Sequence, residues 1–211
     1  MNINYAKEMD KVIARIRAEG RRPRLLLHVC CAPCSSAVLQ ELWRDFDVTI
    51  FFDNPNIDTA QEFDLRRQET EKLVALLDLP IPVIVMPWDT EVYHQAIEDT
   101  QDAPEGGARC ARCFALRLDR SAAYAKAHGF DWFTTTLTVG PRKDATLLNS
   151  IGQRMAQKYE VSFLPSDFKK RDGYLNSIRR SREYNLYRQD YCGCVFSKAV
   201  RNSQKTPDTY Y

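Results

Sequence analysis

The chain has 211 residues, 44% hydrophobic and 27% charged, with 30 basic against 28 acidic side chains. This composition excludes a disordered or fibrous chain and is too evenly charged to demand a nucleic-acid partner. No apolar run reaches the roughly 20 residues of a membrane-spanning helix, so no membrane partner is expected.

The N-terminal stretch MNINYAKEMDKVIARIRAEGRRPR lacks the apolar centre of a secretory signal, which points to the cytoplasm. Within it, Ala6, Met9, Val12, Ile13 and Ile16 recur at helical spacing, and Gly20 is placed to end the helix. Leu25 to Val29 comes next as an unalternating apolar strand of the kind buried on both faces of a parallel sheet. Pro33 is expected to break it, Ser35 or Ser36 to cap the next element, and Ser36 to Arg44 to form that element as a helix. The cycle repeats with a strand at Val48 to Phe52, the turn DNPNID and a helix from about Thr59 to Leu77. A strand at Val83 to Met86, a short helix around Glu91 to Glu98 and the loop DTQDAPEGGA, a candidate lid or site wall, lead to Cys110. Arg112 to His128 reads as a helix with Cys110 and Cys113 at its start and Gly129 at its end. Then come a strand at Trp132 to Leu137, a helix carrying Ala145, Leu148, Ile151 and Met155, and a short strand at Val161 to Leu164. Alternation of this kind predicts an α/β fold, an open and mostly parallel sheet with helices on both faces. One domain is expected, with its core over about 24–164 and a helical, basic extension over about 165–211.

Seven cysteines in a reducing compartment favour metal ligation or redox chemistry over a disulfide framework. Cys30 and Cys31 sit at the carboxyl end of the first strand, the edge at which open α/β sheets bind ligands, and a helix start there favours anionic sulfur. Cys110 and Cys113 have the spacing of a metal knuckle, which serves zinc, iron–sulfur clusters and dithiols alike. Joined to Cys30 and Cys31 they make four soft ligands, and the vicinal pair suits an iron–sulfur cluster better than structural zinc. Cys34 is then left as a ligand to a second metal or as a reactive thiol. Cys192 and Cys194 are too close in sequence for an unstrained disulfide, so a bridge between them is readily reduced. Asp53 ends the second strand at the same edge and is the carboxylate best placed for catalysis or metal contact. Lys169, Lys170, Arg171, Arg179 and Arg180, with Arg188 further on and Tyr174, Tyr184 and Tyr187 interleaved, form a local basic surface suited to RNA, though a solvated helix face has the same pattern.

Taken together and in this order, HVCCAPC, FDNPNI, GGARCARC and YRQDYCGC resemble the QueH family of epoxyqueuosine reductases from about Arg24 to Val200. The resemblance implies reduction of epoxyqueuosine to queuosine at the wobble position of tRNAs for Asp, Asn, His and Tyr. It implies a 4Fe-4S cluster on Cys30, Cys31, Cys110 and Cys113, a redox-active disulfide of Cys192 with Cys194, and an additional iron for which Cys34 is the candidate contact. An unidentified electron donor would restore the enzyme. The implied fold is a sandwich similar to nucleotide-binding PP-loop enzymes, but their SGGxDS phosphate loop is absent here, so ATP use is not expected. Two other readings stay open at this point: a thioredoxin-like oxidoreductase using Cys31 and Cys34, and a zinc-stabilised RNA-binding protein.

Overall fold

The N-terminal apolar spacing is realised as α1 (Tyr5–Ala18), whose Ala6, Met9, Ile13 and Ile16 are buried and whose first turn is capped by the Asn4 side chain. The computed structural model describes residues 3–204, so the last part of the expected extension, 205–211, lies outside the described residues. Strand β1 (Arg24–His28) comes next, with Leu25, Leu26 and Leu27 fully buried. It pairs in parallel with β2 (Asp47–Phe52) on one side and with β4 (Trp132–Thr135) on the other. The edges are β3 (Val83–Val85) beyond β2 and β5 (Ser162–Phe163) beyond β4, giving the all-parallel order β3-β2-β1-β4-β5.

Successive side chains of a strand point to opposite faces, and β1 divides its residues accordingly. Leu25, Leu27 and Val29 join a core with α1, α2 (Ala32–Leu42) and α3 (Ala60–Leu77). Leu26 joins a second core with α5 (Ala108–Ala127) and α6 (Ala145–Tyr159), through Phe114, Leu118, Phe133 and Leu148. Each such fully buried leucine or phenylalanine stabilises the sandwich by about 1.5–3 kcal/mol. The expected fold, helices on both faces of an open parallel sheet, is what forms. In such sheets ligands bind beyond the strand carboxyl ends where the strand order reverses. Here that point lies between β1 and β4, so the cysteines after β1 are placed at it by topology.

Three local expectations are corrected. Pro33 does not separate strand from helix; it sits inside the first turn of α2, where its missing N–H costs nothing, and the helix starts at Ala32. Ser35 and Ser36 are therefore not caps: their hydroxyls donate back to the carbonyls of Cys31 and Pro33. The fourth strand stops at Thr135, and Thr136–Val139 is a 3-10 turn begun by the Thr135 hydroxyl accepting from the Leu137 N–H at 3.1 Å. Helix α5 begins four residues before Arg112, at Ala108, which puts Cys110 and Cys113 within its first two turns. The short α4 (Glu91–Ala96) precedes the glycine-rich loop, and the C-terminal part supplies α7 (Gly173–Glu183) and α8 (Val195–Gln204).

Candidate metal centre and its chamber

Strand β1 runs out into Cys30 and Cys31, and extended backbone at Cys31 (φ −173°, ψ 157°) turns the chain directly into α2. Cys34 lies one helical turn on, so all three sulfurs face one another within 4.8 Å, with Cys30 and Cys31 Sγ 3.7 Å apart. The thiols share hydrogen bonds that favour the anionic form at Cys30. Donation from Cys31 and Cys34 pulls its pKa well below the ordinary thiol value. Hydrogen bonding to Cys30 pushes Cys31 up to about 12. The N-terminus of α2 adds its own preference for an anionic sulfur.

The strand end is braced from the β2 edge. Asn54 donates to the Val29 carbonyl at 2.9 Å, and the buried His28 ring bridges Thr135 Oγ1 (2.8 Å) and the Asp53 carbonyl (3.1 Å). Burial, with the Arg117 charge second, lowers the His28 pKa to about 3, so the ring is neutral. The Asp53 carboxylate, 1% exposed, has both oxygens engaged by Arg120 at 2.6 and 3.1 Å. In this structure Asp53 is the buried half of an ion pair tying the end of β2 to α5.

The other four cysteines meet elsewhere. Cys110, Cys113, Cys192 and Cys194 line a small cavity of about 10 Å³. Cys113 is pushed up to about 11, chiefly by burial. Cys194 is buried beneath the start of α8, where its sulfur accepts from the Ser197 N–H at 3.4 Å. Cys192 lines both this cavity and a larger chamber, and Lys143 Nζ donates to its sulfur at 3.0 Å. Burial opposes its ionisation, but the Lys143 and Arg117 charges outweigh burial and bring its pKa below the ordinary value. Gly193 between them adopts φ +121°, and a Cβ there would come within 3.1 Å of Arg66 Nη1. The two thiol groups share that larger chamber, of about 490 Å³, lined by Cys30, Cys34, Arg117, Lys143 and Cys192. Thus the structure brings Cys30 and Cys31 together with Cys34, and groups Cys110 and Cys113 with the Cys192 and Cys194 pair across that chamber.

The basic residues divide too. Lys170, Arg171 and Arg180 line a separate cavity against α1 and α2. Arg171 pairs with Asp10, Lys169 with Asp167, and Arg179 with Asn176. The chamber itself carries Arg142, Arg188 and Arg201, with Tyr174 and Tyr191. Tyr174 and Arg188 belong to the basic stretch visible in sequence, but Arg142, Tyr191 and Arg201 escape it, since their convergence depends on loops far apart in the chain.

Asp58 and Arg66 also escape sequence reasoning, although both hold the Cys192 loop. Arg66, 2% exposed, bonds Glu62 (2.7 Å) and the Cys192 carbonyl (3.1 Å). Asp58 accepts from Tyr191 Oη and Lys198 Nζ, both at 2.8 Å, while its N–H donates to the Gly193 carbonyl at 2.9 Å. Burial opposes charging Asp58, but those side-chain hydrogen bonds outweigh it and hold the carboxyl below its usual value. A depressed carboxyl contributes stability that is full above the unfolded value of about 3.9 and is lost as pH falls through the folded one. Hydrogen exchange over residues 191–204 is therefore expected to accelerate by about tenfold in Asp58→Asn at neutral pH, and in the native chain only below about pH 4. Equal exchange in variant and native protein would refute the clamp.

Comparison with known proteins bears on this arrangement. The family model described as epoxyqueuosine reductase QueH matches residues 25–200. The epoxyqueuosine reductase QueH of Staphylococcus aureus is 40% identical over 201 residues, covering 92% of this chain and 84% of that protein. Its counterparts from Streptococcus pyogenes and Thermotoga maritima are 37% and 36% identical, covering 94% and 85% of this chain and 80% and 93% of theirs. Among solved structures, the U34-tRNA thiolase NcsA from Methanococcus maripaludis with its 4Fe-4S cluster is similar in fold. It has a TM-score of 0.50 and 12% identity, over 94% of this chain and 74% of that one. No helix among the described residues is long and apolar enough to cross a membrane.

Proposed function

Because the chain belongs to the QueH family of epoxyqueuosine reductases, we propose that it reduces epoxyqueuosine to queuosine at the wobble position of tRNAs for Asp, Asn, His and Tyr. The reaction is the last step of queuosine formation and takes place in the cytoplasm. One observation carries the reading: Cys30 and Cys34 of the triad and Cys192 of the downstream pair open on the same chamber. Converting an epoxide to an alkene breaks two C–O bonds, forms one C=C bond and releases water, consuming two electrons and two protons. Oxidation of the Cys192 and Cys194 thiols to a disulfide releases that same number of each. An electron donor outside the chain then reduces the disulfide.

The residues present fit a metal group. Three soft donors converge within 4.8 Å, and a buried Arg117 nitrogen stands unpartnered beside them, ready for an anionic ligand. Zinc is poorly served by the vicinal Cys30 and Cys31 and carries no electrons, so the redox reaction favours an iron–sulfur group of the 4Fe-4S type. Cys30 and Cys31 would hold it, together with Cys34, whose sulfur lies as close as theirs; Cys110 and Cys113 would add thiolates from the start of α5. An additional iron finds its nearest soft donors in the same two groups. When bound, the cluster supplies electrons one at a time at the chamber floor.

The chain does the rest. The wobble base must leave the anticodon stack to reach the chamber, where Tyr174 and Tyr191 offer stacking faces. Arg142, Arg188 and Arg201 supply positive charge for the flanking phosphates, and Lys170 just before α7 and Arg179 on it are further exposed cations. Lys143, held against Cys192, keeps a proton donor at the chamber wall. The test is repeated turnover on tRNA carrying epoxyqueuosine under anaerobic conditions, with Cys192→Ser and Cys194→Ser beside the native protein. Both variants are expected to keep their iron and lose repeated turnover. Full turnover by either would dismiss the dithiol role, and no conversion by the native protein would dismiss the function.

A further inference from the structure

Arg117 lies one turn beyond Cys113 on α5 and is 1% exposed. A guanidinium so deeply buried costs several kcal/mol unless anions surround it. Its Nε donates to the Cys113 carbonyl at 3.4 Å, but Nη2 is buried without a hydrogen-bond partner. The groups whose charge acts on it most are Cys113, Cys192, Cys30 and Tyr93, three thiols and a phenol rather than carboxylates. Asp53, a carboxylate that feels its charge, is held by Arg120 instead. The side chain also lines the chamber onto which Cys30, Cys34 and Cys192 open. A fixed positive charge is thus buried at the seam between the two thiol groups, with one terminal nitrogen, Nη2, left without a partner. Among charged residues of the described chain, its burial makes sense when the thiol groups carry the balancing negative charge.

We propose that Arg117 is the counter-cation of the thiol centre, a positioning residue that makes the centre take up negative charge more readily. The charge it balances is that of the added electron on the loaded centre, so the inference rests on the iron–sulfur reading above. Nothing is transferred through Arg117 itself: it stays protonated, as guanidinium groups in proteins do.

The experiment compares native protein, Arg117→Lys and Arg117→Met, with Arg117→Gln as the neutral variant should the methionine variant fail to fold. After anaerobic purification, iron and sulfide are measured, and the reduced-to-oxidised ratio of the centre is read spectroscopically at a fixed viologen poise. The neutral variant is expected to show a ratio about tenfold lower, equivalent to about 59 mV for one electron, and the lysine variant to recover most of it. A neutral variant with native iron content and an unchanged reduction ratio overturns the proposal. A native protein that holds no iron–sulfur group overturns the parent reading and this proposal with it.

Discussion

Cys31→Ser is expected to leave the anaerobically purified protein without iron–sulfur absorbance and to lower turnover by more than about 10²-fold. Loss of an outer-shell partner of a metal site already costs about 10–100-fold, and Cys31 is placed to be a ligand itself. It is 1% exposed, stands at the joint between β1 and α2, and its sulfur lies 3.7 Å from that of Cys30. Serine fits the space, so the fold should persist, but its oxygen is shorter, harder and far less acidic than a thiol. Iron and sulfide assays beside a thermal melt separate the two effects. Cys34→Ser is the informative companion: equal iron loss makes Cys34 a ligand of the same centre, whereas retained iron assigns it another role. A Cys31→Ser protein with native iron content would remove the triad from the site.

Gly173→Ala should cost about 3 kcal/mol or more, the upper end of what overpacking inflicts. A Cβ on Gly173 would lie 1.6 Å from the Phe168 carbonyl oxygen, a backbone atom that no rotamer change can move. The chain has little slack there, since Arg171 and Asp172 already adopt φ 53° and 62°. Phe168 is itself 4% exposed and part of the core shared by α1 and α2, so the strain spreads to the seat of α7. For a chain of this size the loss corresponds to a fall in Tm of about 6–12 °C. A calorimetric shift below about 2 °C would show that the corner relaxes freely.

The β1 strand and its cysteines are legible in the sequence because a run of Leu25, Leu26 and Leu27 ending in Cys30 and Cys31 admits few other readings. The alternation of strands and helices is legible for the same reason, since each apolar stripe has its own period. The start of α2 is not. Pro33 reads as a breaker, yet a proline in a first turn sacrifices no hydrogen bond, and whether a turn is first depends on the residue before it. Asp53 is visible as a carboxylate at the correct sheet edge, but its partner Arg120 is 67 residues away. That ion pair exists only once α5 has packed on the sheet. The same holds for the split of the seven cysteines. Spacing and resemblance suggest that Cys110 and Cys113 join Cys30 and Cys31; what they do not show is that Cys34 closes on the first pair and that Cys192 and Cys194 share a small cavity with the second. The chamber's basic residues are the least legible, because Arg142 and Arg201 join Arg188 there from segments outside the basic stretch.

The clamp on the Cys192 loop has a kinetic consequence. Its bonds to Arg66, Tyr191 and Lys198 join residues 126, 133 and 140 positions apart, so they form only after almost the whole chain is available. Contacts this distant carry the largest loop-closure cost and come late in folding. During synthesis, the cysteines after β1 emerge long before the loop that closes their chamber. There is accordingly an interval in which the triad is accessible and the dithiol pair is absent. The final two helices then complete the chamber, since Tyr174 and Arg201 on its wall come from them.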